Sequence, residues 1–248
     1  MRATSTLHLE GGLALLLASL WLVMGATSCK RDAEGERSTD VSGLRILYLS
    51  GNFDVVQTND SSRTLRIIGP QNALSDIRIQ HHDDSVSVVD LGARRLFRSR
   101  NPRFKILVGV VPSKHTRLTG GGSYLASWEK PVLRHVLKVN GYAGRIDANI
   151  KTRYFGMDLE ECYGDVRLRG TALGGFMKTG GGHTLHAGDF SMRWLKIYLN
   201  SRSGVWVRAW EQLHVVYWLD GELHYYGDPK RLIIDKSIST GRIARAGD

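Results

Sequence analysis

Four potential metal ligands stand in a row at His81–Asp84, "HHDD". Imidazole and carboxylate both bind zinc-like ions, but consecutive residues of an extended chain point alternately to opposite faces and do not converge on one ion. Between "DIRIQ" and "SVSVV" they read as a polar hairpin turn. In "HTLHAGD", His183 and Asp189 could approach each other around a corner, yet no further ligands follow at a metal-site spacing, and a solvated corner is the simpler reading. Glycoside hydrolysis needs two carboxylates facing each other across a groove. Glu160 and Glu161 are adjacent and diverge, whereas Asp147 and Asp165 share a phase in neighbouring repeats, where stacked acids could form a cation site. No G-x-S-x-G elbow is present, and "TGGG" occurs twice ahead of strands rather than at a helix N-terminus, so no phosphate cradle is expected. Cys162, between Glu161 and Tyr163, reads as a small packed side chain. No catalytic residue, metal or cofactor is expected, and the chain does not read as an enzyme. The alternative is a β-helical polysaccharide-processing enzyme that uses stacked acids with a basic residue.

Two stretches carry side chains suited to binding. If Val205, Val207 and Ala209 face a core, then Trp206, Arg208 and Trp210 face outward on one strand, a surface suited to glycan or protein contact. "GARRLFRSRNPR" places Arg94, Arg95, Arg98, Arg100 and Arg103 in twelve residues. A solvated loop between two strands is the simpler reading, and the functional one is contact with an anionic glycan or a lipid headgroup. Net charge is +10, and residues 1–28 add nothing to it because Arg2 offsets Glu10.

The elements that must position these residues begin after a leader. Leu13–Met24, "LALLLASLWLVM", is too short to span a bilayer, which takes roughly 20 residues, and it ends in small residues. That is the pattern of an export signal over residues 1–28. "ATSC" resembles a bacterial lipobox, with Ala26 where that pattern prefers Leu. The resemblance implies that Cys29 is lipidated, so that the membrane is met through an N-terminal lipid. Lys30 rather than Asp follows it, which under the common sorting pattern favours the outer membrane. Export points the charge to an anionic glycan, lipopolysaccharide or a lipid surface rather than to nucleic acid, and an envelope protein is a further candidate partner. Residues 29–40 read as a flexible, charged tether, and residues 41–248 as one domain.

From Leu44 onward the pattern alternates with period two ("LRILYL", "RTLRII", "SVSVVDL", "FKILVGVV"), and no helical stripe is evident, so the domain is all-β. From about Thr119 a repeat emerges, each unit opening near a glycine cluster. The apolar residues after the clusters are Tyr124, Ile146, Val166, Leu185, Val205, Leu223 and Ile243, in steps of 18 to 22. A second track runs through Leu137, Met157, Phe176, Leu195, Leu213 and Leu232 in steps of 18 to 20. Ala148, Leu168, Ala187 and Val207, two residues beyond the first track, should face inward with it. This period predicts a parallel β-helix, or β-solenoid, with coils of about 18–22 residues. "LDGELHYYGDPKRL" is its last full coil and "TGRIARAGD" its closing segment.

The glycine corners, "YYGDP" in the last coil, "STGRI" after it, "LYLSGNFDVVQ" at the start and "VPSKHTRLTGGGSY" at the entry to the repeats together resemble the head GIN domain family of bacterial extracytoplasmic proteins, over residues 41–246. Family corners usually read Ser-Gly-Ser-Gly; "NGYAG" and "NSRSG" depart from this. The resemblance implies an adhesin-like binding module of the cell envelope. A structural envelope-assembly component is a further alternative.

Overall fold

The computed structural model describes residues 33–60, 62–92, 103–112, 114–128, 130–217, 219–236 and 241–247. Glu34–Asp248 form one compact unit. The described chain is all-β, with a single 3-10 turn at Leu74–Asp76. Its strands are β1 (Glu34–Asp40), β2 (Ile46–Thr58), β3 (Thr64–Pro70), β4 (Ile77–His82), β5 (Ser85–Asp90), β6 (Phe104–Val108), β7 (His115–Ser127), β8 (Val132–Ser201), β9 (Gly204–Tyr217), β10 (Glu222–Tyr226), β11 (Arg231–Lys236) and β12 (Arg242–Arg245). They form one mixed, open sheet in the order β1-β3-β6-β2-β7-β8-β9-β10-β12. In addition β11 pairs with β9, and the β4–β5 hairpin joins β2.

Parallel pairing joins the positions that the repeat predicts. Tyr124 is the register partner of Ile146, Leu185 of Val205, Val205 of Leu223, and Leu223 of Ile243. On the second track Leu195 pairs with Leu213 and Leu213 with Leu232. Inside the 70-residue β8 the same offset recurs in side-chain contacts. The Thr152 hydroxyl donates to the Val132 carbonyl at 2.9 Å, and the Asn140 amide to Glu160 at 3.0 Å.

The core lies on the inward side of these rows. Ile146, Val166, Leu185, Val205 and Leu223 are buried, as are Ala148, Leu168, Ala187 and Val207. Phe155 and Phe190 meet edge to face, with ring centroids 5.4 Å apart. Fully burying an aliphatic side chain of this kind stabilises by about 1.5–3 kcal/mol, so these columns carry much of the fold without a disulfide. Cys162 is a buried free thiol, and burial pushes its pKa up to about 11. It packs as a small apolar group, as its sequence context suggests.

Three expectations are corrected. Phe176, placed on the inward track, is only half-buried. Its ring lies over Gly156, where an added Cβ would come within 2.5 Å of it, and Met177 takes the inward place. Leu232 keeps its register but remains 40% exposed, because β11 is paired through β9 alone. Finally, Glu34–Asp40, expected to belong to the tether, is β1, and it pairs antiparallel with β3 from Glu34↔Pro70 to Asp40↔Thr64. An edge strand needs only backbone partners, so its side chains can stay polar. Arg66 donates twice to Glu36, at 2.6 and 2.9 Å, and the Arg37 guanidinium donates to the carbonyls of Leu74 and Ile77 at 3.2 and 2.6 Å.

Candidate functional site

Val205, Val207 and Ala209 are fully buried, so Trp206, Arg208 and Trp210 are turned outward as expected from the alternation. They do not form one patch. Trp206 is clamped between two imidazoles, His186 and His224, its register partners in the adjoining strands. The ring centroids are 4.8 and 5.0 Å away, and the planes lie within 16° and 9° of parallel. Both faces of the indole are therefore covered, and only its edge is presented. Each outer imidazole has a carboxylate near its Nε2: Asp165 at 3.7 Å from His186, and Glu222 at 3.6 Å from His224. Gly204 makes room for the stack, since a Cβ there would lie 2.6 Å from the Trp206 ring.

Arg208 is held beside this row. Its Nε donates to the Gly188 carbonyl at 2.8 Å, and its guanidinium lies 5.2 Å from the centre of the Tyr226 ring. Trp210 lies where the pairing of β9 with β8 shifts register, between the partners of Met192 and Trp194. It is 46% exposed and faces Arg193, whose guanidinium lies 5.8 Å from the indole centre. Arg193 also holds Glu211 at 2.6 Å, which lowers the Glu211 pKa below its ordinary value and raises that of Arg193.

Arg103 sits at the entry to β6, 3.9 Å from Asp54, in a different part of the sheet from β9. Arg94, Arg95, Arg98, Arg100 and Cys29 lie outside the described residues.

The candidate acids are occupied. Asp147 is gripped by Arg145 at 2.9 Å and Arg169 at 2.5 Å, and Asp165 by Arg167 at 2.9 Å. Glu160 takes Lys178 at 2.6 Å and the Asn140 amide, which together lower its pKa. Glu161 turns the corner with a left-handed backbone, φ 48°. His183 and Asp189 are not brought together: His183 is fully buried, and burial lowers its pKa, whereas Asp189 is exposed. "HHDD" is the tip of the β4–β5 hairpin. There His81 meets the Thr39 hydroxyl at 3.0 Å, and Asp84 pairs with Arg45 and Lys114. Among the described residues no three His, Cys, Asp or Glu side chains gather as a metal site.

A second outward row was not anticipated. The Arg134 guanidinium lies 5.1 Å from the Tyr154 ring centre, and Tyr154 meets Trp194 at 5.7 Å. Its signal was present in the sequence, an aromatic directly after an arginine in "TRYFG" and again in "MRWLK".

Relatives fit this description. No curated protein matches the chain. Solved structures of the same fold include a "putative adhesin" from Bacteroides fragilis, 18% identical, covering 86% of this chain and 97% of that one at a TM-score of 0.72. Another "putative adhesin", from Parabacteroides distasonis, is 15% identical over 87% of this chain and 98% of its own, with a TM-score of 0.57. A "putative lipid binding protein" from the same species is 14% identical over 88% and 98%, with a TM-score of 0.52. The model of the family described as "Putative auto-transporter adhesin, head GIN domain" matches residues 45–229, and the chain belongs to that family.

Proposed function

We propose that this chain is a non-enzymatic, extracytoplasmic binding module of the cell envelope, a β-solenoid held to the membrane through a lipidated Cys29. Register offsets of 17 to 22 residues between parallel strands support the solenoid reading. The apolar run Leu13–Met24 followed by "ATSC" supports export and anchoring, and the family's adhesin label supports a binding role. Lys30 after the cysteine supports the outer membrane as its address.

The observation that carries the reading is the His186–Trp206–His224 ladder. It sets three ring edges in register on a rigid frame, with Arg167 and Arg208 alongside. The Trp206 indole N–H and the guanidinium groups beside it offer donors on neighbouring strands, about 4.8 Å apart. That array suits the repeated carboxylates or sulfates of an extended acidic glycan, with charge-assisted hydrogen bonds giving the affinity. Pairing of Asp147 and Asp165 with arginines weighs against turnover by stacked acids.

The test is a glycan-array binding experiment on the chain at two salt concentrations. Salt-sensitive binding to acidic glycans is expected, weakened by Arg208→Gln and by replacing Arg94, Arg95, Arg98, Arg100 and Arg103 with alanine. Absence of binding at either salt concentration removes the glycan ligand and leaves a protein partner, to be sought by crosslinking in the envelope.

A further inference from the structure

The inward–outward alternation breaks where β8 and β9 pass a corner, and two successive residues then face out. Leu133–Arg134, Arg153–Tyr154 and Arg193–Trp194 are such pairs. Leu173 takes the same place in the rung between, where Gly174 lies under the Trp194 ring, so close that an added Cβ would come within 1.9 Å of it. Contacts tie the pairs into one line: Arg134 on Tyr154, Tyr154 against Trp194, and Arg193 on Trp210. Four large apolar side chains on this line are exposed, Leu133 by 72%, Leu173 by 46%, Trp194 by 41% and Trp210 by 46%. The carboxylate beside them, Glu211, is neutralised by Arg193.

We propose that this corner docks edge-on against an anionic bilayer surface. Trp and Tyr favour the headgroup level of a membrane, where the ring is apolar and the rim is wet. Arginine adds attraction to anionic lipids and is matched in shape to phosphate. Leu133 and Leu173 decide between partners, because a leucine exposed at a rim gains from entering acyl chains and gives a sugar nothing to hydrogen-bond. Arg153 has no ion-pair partner among the described residues, which leaves its charge for a headgroup. The frame is continuous strand, so contact needs no refolding. This surface is separate from the His186–Trp206–His224 ladder, and docking does not depend on the glycan reading.

The experiment uses the full chain reconstituted into vesicles of phosphatidylcholine carrying brominated acyl chains, with or without phosphatidylglycerol, and reads the quenching of tryptophan fluorescence. Quenching that rises with phosphatidylglycerol, falls in the Trp194→Phe/Trp210→Phe variant and persists in Trp206→Phe is the expected result. Replacing Arg134, Arg153 and Arg193 with glutamine should weaken docking by roughly a hundredfold. Replacing Arg78, Arg145 and Arg202 instead matches the charge change and should leave docking in place. Equal quenching in the parent and the double tryptophan variant overturns the proposal, as does equal loss in the two arginine triples. If quenching is absent but Trp194 emission shifts on adding an acidic glycan, the corner belongs to a glycan and the lipid assignment fails.

Discussion

A Cβ added to Gly164 would lie 2.1 Å from the carbonyl oxygen of Gly144, twenty residues earlier in the chain. Gly144 stands in the same relation to Gly122, at 2.0 Å, and Gly122 to Phe53, at 2.1 Å. The glycines of the repeat are thus stacked in a column, each kept free of a side chain by the backbone below it. Gly164 also has a φ of 133°, a conformation that L side chains rarely adopt. Gly164→Ala is expected to cost about 2–4 kcal/mol, combining backbone strain with overpacking. Gly141→Ala, at φ 57° with open space around it, should cost only about 1–2 kcal/mol. Urea midpoints of the two variants give the comparison, and equal midpoints would remove the column as a constraint.

Trp206 and Trp210 are expected to separate in stability. Trp206 makes two ring stacks, each worth about 0.5–1.5 kcal/mol beyond area burial, so Trp206→Ala should lose about 1–3 kcal/mol. Trp210→Ala removes a half-exposed ring and should stay within about 0.5 kcal/mol of the parent. Chemical denaturation of both variants checks this, and similar losses would contradict the clamp.

Acid should weaken the fold through His135. Its ring is fully buried against Trp128, 5.0 Å away, with Nδ1 bonded to the Pro112 carbonyl at 2.8 Å. Burial lowers its pKa from 6.5 to about 4. Between these values the unfolded chain binds a proton that the folded chain does not, so stability falls as pH drops through that window. One such histidine contributes about 3 kcal/mol. His115 and His183, lowered chiefly by burial, act in the same direction. His135→Asn can keep the bond to Pro112 and should flatten the pH profile between 6.5 and 4; an unchanged slope assigns the effect elsewhere.

The domain should need its first strand. A fragment beginning at Val41 loses seven paired residues of β1 and leaves β3 as a bare edge. With roughly six to eight ladder hydrogen bonds lost, at the low end of about 0.5 kcal/mol net each for an exposed edge, residues 41–248 should be less stable than residues 34–248 by roughly 3–4 kcal/mol. Equal melting of the two fragments would return Glu34–Asp40 to the tether.

The repeat was legible because an inward residue after each glycine cluster is constrained twice, by the core and by its register partner. Val205 and Leu223 are read from their letters alone. Phe176 was misread because nothing in its letter shows that Gly156 leaves room outside for its ring, with Met177 able to fill the core instead. β1 gave no apolar signal, since an edge strand held by Arg66–Glu36 and Arg37 has no need of one. Trp206 was correctly turned outward, but its clamp comes from residues 20 before and 18 after it, visible only when the repeat phase is applied to outward positions as well. The corner line escaped for the same reason: Arg134, Tyr154 and Trp194 meet across turns, not along a strand.

The varying offset between register partners, 22 residues from Tyr124 to Ile146 but 18 from Val205 to Leu223, decides where the gene tolerates changes in length. One codon inserted within Ile146–Ile150 would exchange inside for outside along the rest of that row, placing Asn149 in the core. One codon inserted at Arg202–Ser203, between β8 and β9, is absorbed before pairing resumes at Val205. On the proposed solenoid reading, loss or duplication of a whole repeat removes or adds one row of the same kind, so a deletion of about 20 residues is expected to be better tolerated than a deletion of one.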